Sequence, residues 1–130
     1  MKKIILLIAL ALVSTGAWGD YKCTVKSVVE VGDDGVTSTN AMLEHYVGDE
    51  FVVDSGTGRM IGDMTNHFTD FTPKVLHSGS NEVPFMALTI YDWAIPDVEY
   101  LRIDVKKDRI WKPFMYMALG RIHSGLCEHF

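Results

Sequence analysis

Five histidines are the side chains of this 130-residue chain best suited to holding a metal ion or transferring protons: His45, His67, His77, His123 and His129. None of them lies in a His-Glu-x-x-His motif or beside a Cys-x-x-Cys pair, the spacings that bring metal ligands together. Only His123 and His129 are close to each other in sequence. The pattern therefore predicts scattered surface histidines, with no metal site and no cofactor.

Two acidic pairs and a glycine-rich segment are the other motifs that could bind a ligand. The pairs at residues 33–34 and 49–50 lack the dense Asp-x-Asp-x-Asp spacing of a calcium loop. In residues 55–59, Ser-Gly-Thr-Gly-Arg, the glycines do not fit a phosphate-binding motif, and no helix is predicted after them. We interpret all three segments as turns.

Nucleophilic catalysis has little support in the sequence. The Gly-x-Ser-x-Gly elbow of the α/β-hydrolases is absent. A hydrolase that joins His77 or His123 to a carboxylate from another strand remains an alternative. We predict a protein that is not an enzyme and has no catalytic residue.

Residues 1–19 have the features of a secretory signal peptide. Two lysines begin the segment, an apolar run follows at 4–13, and Ala17 and Gly19 satisfy the small-x-small rule for cleavage. The apolar run is shorter than the roughly 20 residues that a membrane-spanning helix needs. We therefore predict cleavage after about Gly19 and export of residues 20–130 to the periplasm or the medium, with no membrane-integral segment left.

Cys23 and Cys127 lie near the two ends of the predicted mature chain. In an exported protein, two cysteines most simply form one disulfide. Such a bond encloses about 100 residues, for which the chain-entropy estimate is roughly 4–5 kcal/mol. It also requires the first and last strands to be neighbours or nearly so, as in a closed or nearly closed sheet.

The predicted mature chain is acidic. Two of the twelve basic residues and none of the seventeen acidic ones lie in the leader, so ten basic and seventeen acidic residues leave a net charge of −7 with neutral histidines. This charge disfavours nucleic acid and anionic lipid as partners. It suits a basic protein partner, although a solvated acidic surface is the more common explanation.

Alternation with a period of two predicts a single all-β domain over residues 20–130. Strand-like segments separated by turns cover residues 21–31, 51–54, 60–64, 74–77, 85–93, 98–106, 113–119 and 121–127. Between them, residues 36–50 are ambiguous, because Thr39 or Asn40 could cap a short helix through Tyr46 or the segment could be a bulged strand. We predict one small antiparallel barrel or sandwich with at most one short helix, closed by the disulfide between its ends.

Aromatic residues of the C-terminal half give the candidate binding surface: Tyr91, Trp93, Tyr100 and Trp111. When exposed on a sheet, such rings bind sugars or proteins. Residues 85–93 are apolar on both faces, so we expect a central strand that is buried on both sides. A strand with an exposed functional face is the alternative.

Four segments resemble a group of small exported β-rich proteins, mostly from proteobacteria, whose function is not known. They are the Tyr-Lys-Cys at 21–23, residues 51–62, the Lys-Pro-Phe at 112–114 and the Gly-x-Cys at 125–127. The resemblance implies export, a β fold and the disulfide, with no catalytic residue to transfer. The chain is more loosely similar to periplasmic lysozyme inhibitors of the eight-stranded barrel type, but their Ser-Ala-Ser-Gly-x-x-Tyr loop is absent.

Three functional hypotheses follow from these observations. The first is an exported, non-enzymatic binding protein of the envelope-interaction or inhibitor type, whose partner is an envelope or extracellular protein. The second is a carrier of a small apolar ligand in a barrel interior lined by Met86, Met115 and Met117. The third is the hydrolase. We expect the first, because catalytic motifs are missing and a barrel of this size is usually filled by its own side chains.

Overall fold

The computed structural model describes residues 20–66, 71–92, 94–106 and 108–130. The predicted leader, His67 and Trp93 lie outside the described residues. Within these ranges the chain forms nine strands and one short helix: β1 (Tyr21–Val31), β2 (Thr37–Ser38), α1 (Ala41–Glu44), β3 (Glu50–Val53), β4 (Met60–Gly62), β5 (Lys74–Ser78), β6 (Phe85–Tyr91), β7 (Asp97–Ile103), β8 (Lys112–Ala118) and β9 (Arg121–His129). The all-β prediction is confirmed.

The strands form one antiparallel sheet in the order β4-β3-β1-β9-β8-β7-β6-β5, and β2 pairs with the end of β1. The sheet curls into a half-barrel. The first and last strands of the chain are therefore neighbours in the middle of the sheet, whereas its two edges, β4 and β5, are consecutive in sequence. The predicted barrel or sandwich is thus a single curled sheet whose open side lies between β4 and β5.

The disulfide joins the two central strands. Cys23 of β1 and Cys127 of β9 occupy directly paired positions, and their Cα atoms are 3.9 Å apart. Both cysteines are fully buried. The predicted bond and the predicted adjacency of the first and last strands are confirmed.

Side chains from distant strands meet inside the curl. Phe51 of β3 contacts Phe114 of β8 edge to face, with ring centroids 5.2 Å apart. At the open side, Gly58 of the β3–β4 turn has a φ of +78°, and a Cβ added to it would lie 2.8 Å from the Cβ of Ala87 in β6. Only a glycine fits this approach, so the turn after β3 packs directly on β6 and narrows the opening of the sheet.

Helix α1 begins at a side-chain cap. The Oδ1 atom of Asn40 accepts a hydrogen bond from the backbone N–H of Leu43 at 3.0 Å, so Asn40 rather than Thr39 is the cap. The helix ends at Glu44, earlier than the predicted Tyr46, and Leu43 is fully buried. No helix among the described residues is long and apolar enough to span a membrane.

Strand β6 differs from its prediction. Phe85 and Ala87 are buried on the core side, whereas Met86 and Leu88 are half-buried and Ile90 is exposed on the other side. The expectation of a strand buried on both faces is wrong. The described strands form a single sheet, and only its inner side faces the core.

The methionines of the carrier hypothesis also lie on the outer side of the sheet. In β8, Phe114 and Tyr116 are buried, whereas Met115 is half-buried and Met117 is exposed. Met86 follows the same alternation in β6. The prediction that these methionines line an interior is therefore wrong, because residues that alternate with core residues point away from the core.

Candidate functional site

An apolar row crosses the outer side of the sheet. Its members occupy directly paired positions on five neighbouring strands: Leu88 on β6, Tyr100 on β7, Met117 on β8, Ile122 on β9 and Val29 on β1. Paired residues of antiparallel strands lie side by side on one face. All five side chains are half-buried or exposed. The solvated face of an antiparallel sheet is normally polar, so this row needs an explanation.

Four further apolar side chains extend the row toward one end of the sheet. Val31, Ile90, Val98 and Leu119 are 55%, 61%, 45% and 52% exposed. A groove of about 240 Å³ runs along this extension beside Met117. We name the five residues of the row and these four the outer apolar face. Contiguous exposed apolar surface of this kind is typical of sites that bind other molecules.

The turn between β8 and β9 places a strained leucine in this face. Leu119 and Gly120 both have positive φ, 52° and 73°, so the two-residue loop is a type I′ turn. Its first position favours asparagine, aspartate or glycine, and another residue in this conformation costs roughly 1–2 kcal/mol. Strained residues of this kind cluster at functional sites. Leu119 lines the groove, and its presence here supports a role for the exposed side chain.

Basic side chains flank the outer apolar face, although the chain as a whole is acidic. Lys74 is paired with Leu88, and Arg102 lies on β7 between Met86 and Met115 of the neighbouring strands. Both basic residues are exposed. Asp97 and Arg121 line the groove, so side chains of both charges border this surface.

The four aromatic residues of the predicted binding surface lie in different environments. Tyr100 belongs to the outer apolar face. Tyr91 is 1% exposed and packs inside the curl, so its assignment to the surface is wrong; the alternation of β6 places it on the same side as Phe85. Trp111 is 56% exposed just before β8, at the opposite end of that strand from the turn. Trp93 lies outside the described residues.

A cavity of about 240 Å³ opens on the inner side of the sheet, at the same end as the β8–β9 turn. Its walls come from three parts of the chain: Tyr46 after α1, residues 63–65 after β4, and the β8–β9 hairpin with Tyr116, Arg121 and His123. We name it the end cavity. Its lining combines two phenol rings, an imidazole and a guanidinium group.

His123 is the buried polar group of the end cavity. The residue is 8% exposed, and its Nδ1 has no hydrogen-bond partner in the described part of the chain. The rings of Tyr46 and Tyr116 approach it edge to face, with centroid distances of 5.9 and 5.8 Å. Burial lowers the pKa of His123, and the positive charge of Arg121 lowers it further. The imidazole is therefore neutral at pH 7.

Tyr116 connects the end cavity to a buried carboxylate. Its side chain is hydrogen-bonded to Glu99, which is 2% exposed. Burial raises the pKa of Tyr116, and the charge of Glu99 and the hydrogen bond to it raise it further. The phenol therefore stays protonated and donates to the carboxylate, which is the kind of partner that a buried charge requires.

The remaining described histidines are spread over the fold. The Nδ1 atom of His77 accepts a hydrogen bond from the Gly79 N–H at 3.0 Å, and His129 packs edge to face on Tyr21. Among the residues that the structure describes, no three His, Cys, Asp or Glu side chains are grouped so that they could hold a metal ion. The described histidines therefore do not assemble into one metal-binding centre.

Of the residues that form the outer apolar face and the end cavity, the sequence indicated a functional role only for Tyr100, Met117 and His123. Only Leu119 carries a local signal, because a leucine before Gly120 in a tight hairpin occupies a position where asparagine is favoured. Comparisons with known proteins found no matching family model, no matching curated protein and no matching solved structure. Functional inference therefore rests on the outer apolar face and the end cavity.

Proposed function

We propose that residues 20–130 form an exported, non-enzymatic binding domain that docks an envelope or extracellular protein on the outer apolar face. The observation that carries this proposal is the apolar row across five strands on the solvent side of the sheet. Removing apolar surface from water contributes about 25 cal/mol per Å². A partner that covers the row would gain this contribution, and it would also explain the exposed leucine of the turn.

Two features support export. The leader has the charge, the apolar run and the small residues of a signal peptide. The bond between Cys23 and Cys127 is of the kind that persists in oxidising compartments. Mass spectrometry of the protein purified from its native cells tests this part: we expect a mature chain that begins at Asp20, whereas an intact leader would contradict it.

Lys74 and Arg102 indicate which charges the partner carries near them. Because Lys74 and Arg102 border the outer apolar face, the matching surface is an apolar patch with acidic residues opposite these two side chains. This differs from the basic partner that the overall charge of the chain suggests. Charges at the rim of an interface act mainly on the association rate, so Arg102→Glu should slow association and weaken its dependence on salt.

The test first captures partners from an extract and then compares their affinity for the wild type and for variants substituted inside or outside the outer apolar face. Immobilised, oxidised protein is exposed to envelope extract, and each retained protein is then purified and titrated against the variants. Leu119→Asn removes an apolar side chain from the face but suits the type I′ turn, so the domain stays folded. Met117→Lys places a charge in the row. Ile61→Lys is the control, since Ile61 is 63% exposed on β4, outside the face.

We expect the wild type and Ile61→Lys to bind with equal affinity. Leu119→Asn and Met117→Lys should bind at least about tenfold more weakly, which corresponds to about 1.4 kcal/mol. Equal affinity of all four proteins would reject the outer apolar face as the docking site. Sedimentation velocity of the wild type and Met117→Lys tests self-association. A wild-type dimer that Met117→Lys converts to a monomer would show that the outer apolar face binds a second copy of this chain.

A further inference from the structure

The end cavity contains an arginine that forms no ion pair with a carboxylate of the described residues. Arg121 of β9 is paired with Glu30 of β1, which would be its natural partner. The Oε1 atom of Glu30 instead accepts a hydrogen bond from the Nδ2 atom of Asn40 at 3.4 Å. Arg121 takes part in none of the ion pairs in the described ranges. Its guanidinium group is therefore available to a ligand at the cavity.

The acidic residue of the lining is already engaged. Asp63 also borders the end cavity, and its Oδ2 atom accepts a hydrogen bond from the backbone N–H of Glu50 at 2.9 Å. This bond holds Asp63 to β3. Its charge repels an anion at the cavity but does not neutralise the guanidinium group of Arg121 through an ion pair.

A second, independent observation points to a ligand. His123 lines the same cavity, is more than nine-tenths buried, and has an Nδ1 atom that none of the described residues meets with a hydrogen bond. Buried polar atoms without a partner are rare in folded proteins, and each one requires an explanation such as a functional role. Within the described ranges, an imidazole nitrogen without a hydrogen bond and a guanidinium group without an ion pair thus occur together in one small cavity.

The remaining walls define the body of the ligand. The rings of Tyr46 and Tyr116, together with Met64, Ala118 and Leu119, give the cavity an apolar lining. Its volume of about 240 Å³ is below the roughly 300–1,000 Å³ of sites for drug-sized molecules. The ligand must therefore be small and largely apolar, with one polar end.

We infer that the end cavity binds a small organic monocarboxylate, with its carboxylate on Arg121 and its apolar body against Tyr46, Tyr116 and Leu119. The planar fork of a guanidinium group matches a carboxylate with two parallel hydrogen bonds. This site adjoins the outer apolar face, because Leu119 and Arg121 border both the end cavity and the groove on that face. The two proposals have separate tests, because one measures the capture of a protein and the other the binding of a small carboxylate.

Benzoate is the probe, and benzamide is its neutral analogue of nearly the same shape. Binding is followed by the NMR signals of the His123 imidazole, assigned with a His123→Gln variant. We expect benzoate to shift these signals in a saturable way and to bind at least tenfold more tightly than benzamide. Equal affinity for the two probes, or no shift with benzoate up to about 20 mM, would overturn the inference.

Three arginine variants locate the carboxylate. Arg121→Gln should weaken benzoate binding at least tenfold, and Arg121→Lys, which keeps the charge but loses the fork, should give an intermediate loss. Arg102→Gln, on the outer side of the sheet, is the matched control and should bind like the wild type. An unchanged affinity in both Arg121 variants would refute the assignment. Asp63→Asn provides a further check: it removes a negative charge from the lining and should strengthen binding.

Discussion

Gly125 of β9 faces the position where the register of β1 shifts. A methyl group on Gly125 would overlap the backbone carbonyl oxygen of Thr24. It would also lie 2.9 Å from the backbone nitrogen of Lys26 and 2.9 Å from the Cε1 atom of Phe114. Two of these three obstacles are backbone atoms, so a rotamer change cannot relieve the overlap. Gly125→Ala must therefore displace β1 from β9.

The size of the effect follows from the position of β1 in the sheet. β1 is hydrogen-bonded to β3 as well as to β9, so its displacement disturbs two ladders of hydrogen bonds. Overpacking a core typically lowers the free energy of unfolding by about 1–3 kcal/mol. Because backbone atoms block the added methyl group, we expect Gly125→Ala to lower it by about 3 kcal/mol. At roughly 4 °C per kcal/mol for a domain of this size, the thermal midpoint should fall by about 12 °C.

Gly120→Ala is the matched control. Gly120 has a left-handed backbone conformation, with a φ of +73°, but a Cβ added there would meet no atom within 4 Å. This substitution should cost only about 1 kcal/mol, from backbone strain alone. Both variants are compared with the wild type by thermal and urea unfolding of the oxidised protein. A loss for Gly125→Ala no larger than that for Gly120→Ala would refute the reasoning.

Two other predictions concern the disulfide and the buried histidine. Cys127→Ser should lower the free energy of unfolding by roughly 2–5 kcal/mol, because the bond joins cysteines 104 positions apart; urea curves that coincide with those of the oxidised wild type would contradict this. Burial lowers the pKa of His123 in the folded state, so the unfolded state binds more protons once the pH falls below about 6.5. Stability should therefore decline as the pH falls through that range. The urea midpoint of the wild type should drop more between about pH 8 and pH 5.5 than that of His123→Gln, and an equal drop in both proteins would argue against the assignment.

Local patterns in the sequence were sufficient for most of the strands. The alternation of residues 21–31 predicted β1 with the bounds that the structure shows. The sequence offered two caps for the helix, Thr39 and Asn40, because short polar side chains of this kind can accept a hydrogen bond from the first free N–H groups of a helix. The disulfide predicted that the first and last strands are neighbours or nearly so, and β1 and β9 are paired in the structure. Each of these inferences depends on neighbouring residues or on a covalent bond.

The number of layers in the fold could not be read from the sequence in this way. Residues 85–91 are apolar on both faces, and this pattern fits a strand that is covered on both sides as well as one with an exposed apolar face. The choice depends on what packs over Leu88 and Ile90, which is a tertiary property. The same limit applies to Met86, Met115 and Met117, because alternation alone does not show which side of a strand faces the core.

The end cavity was missed for a related reason. Tyr46, Asp63 and Arg121 come from segments that are far apart in sequence and meet only because the sheet curls. His123 was recognised as a candidate acid or base, but neither its burial nor its unpaired Nδ1 has a counterpart in the local sequence. A site of this kind has no motif, so its residues are found only once the strand order is known.

The position of the disulfide gives the domain an unusual response to mechanical force. Tyr21 pairs with His129 and Lys22 with Glu128, and the third pair is the bonded one, Cys23 with Cys127. Tension on the two chain ends would unzip two pairs and then pass through the sulfur atoms, so the sheet between the cysteines would carry no load. In oxidising surroundings the domain is a short, inextensible link, whereas after reduction the same pull would unravel it from β1 and β9.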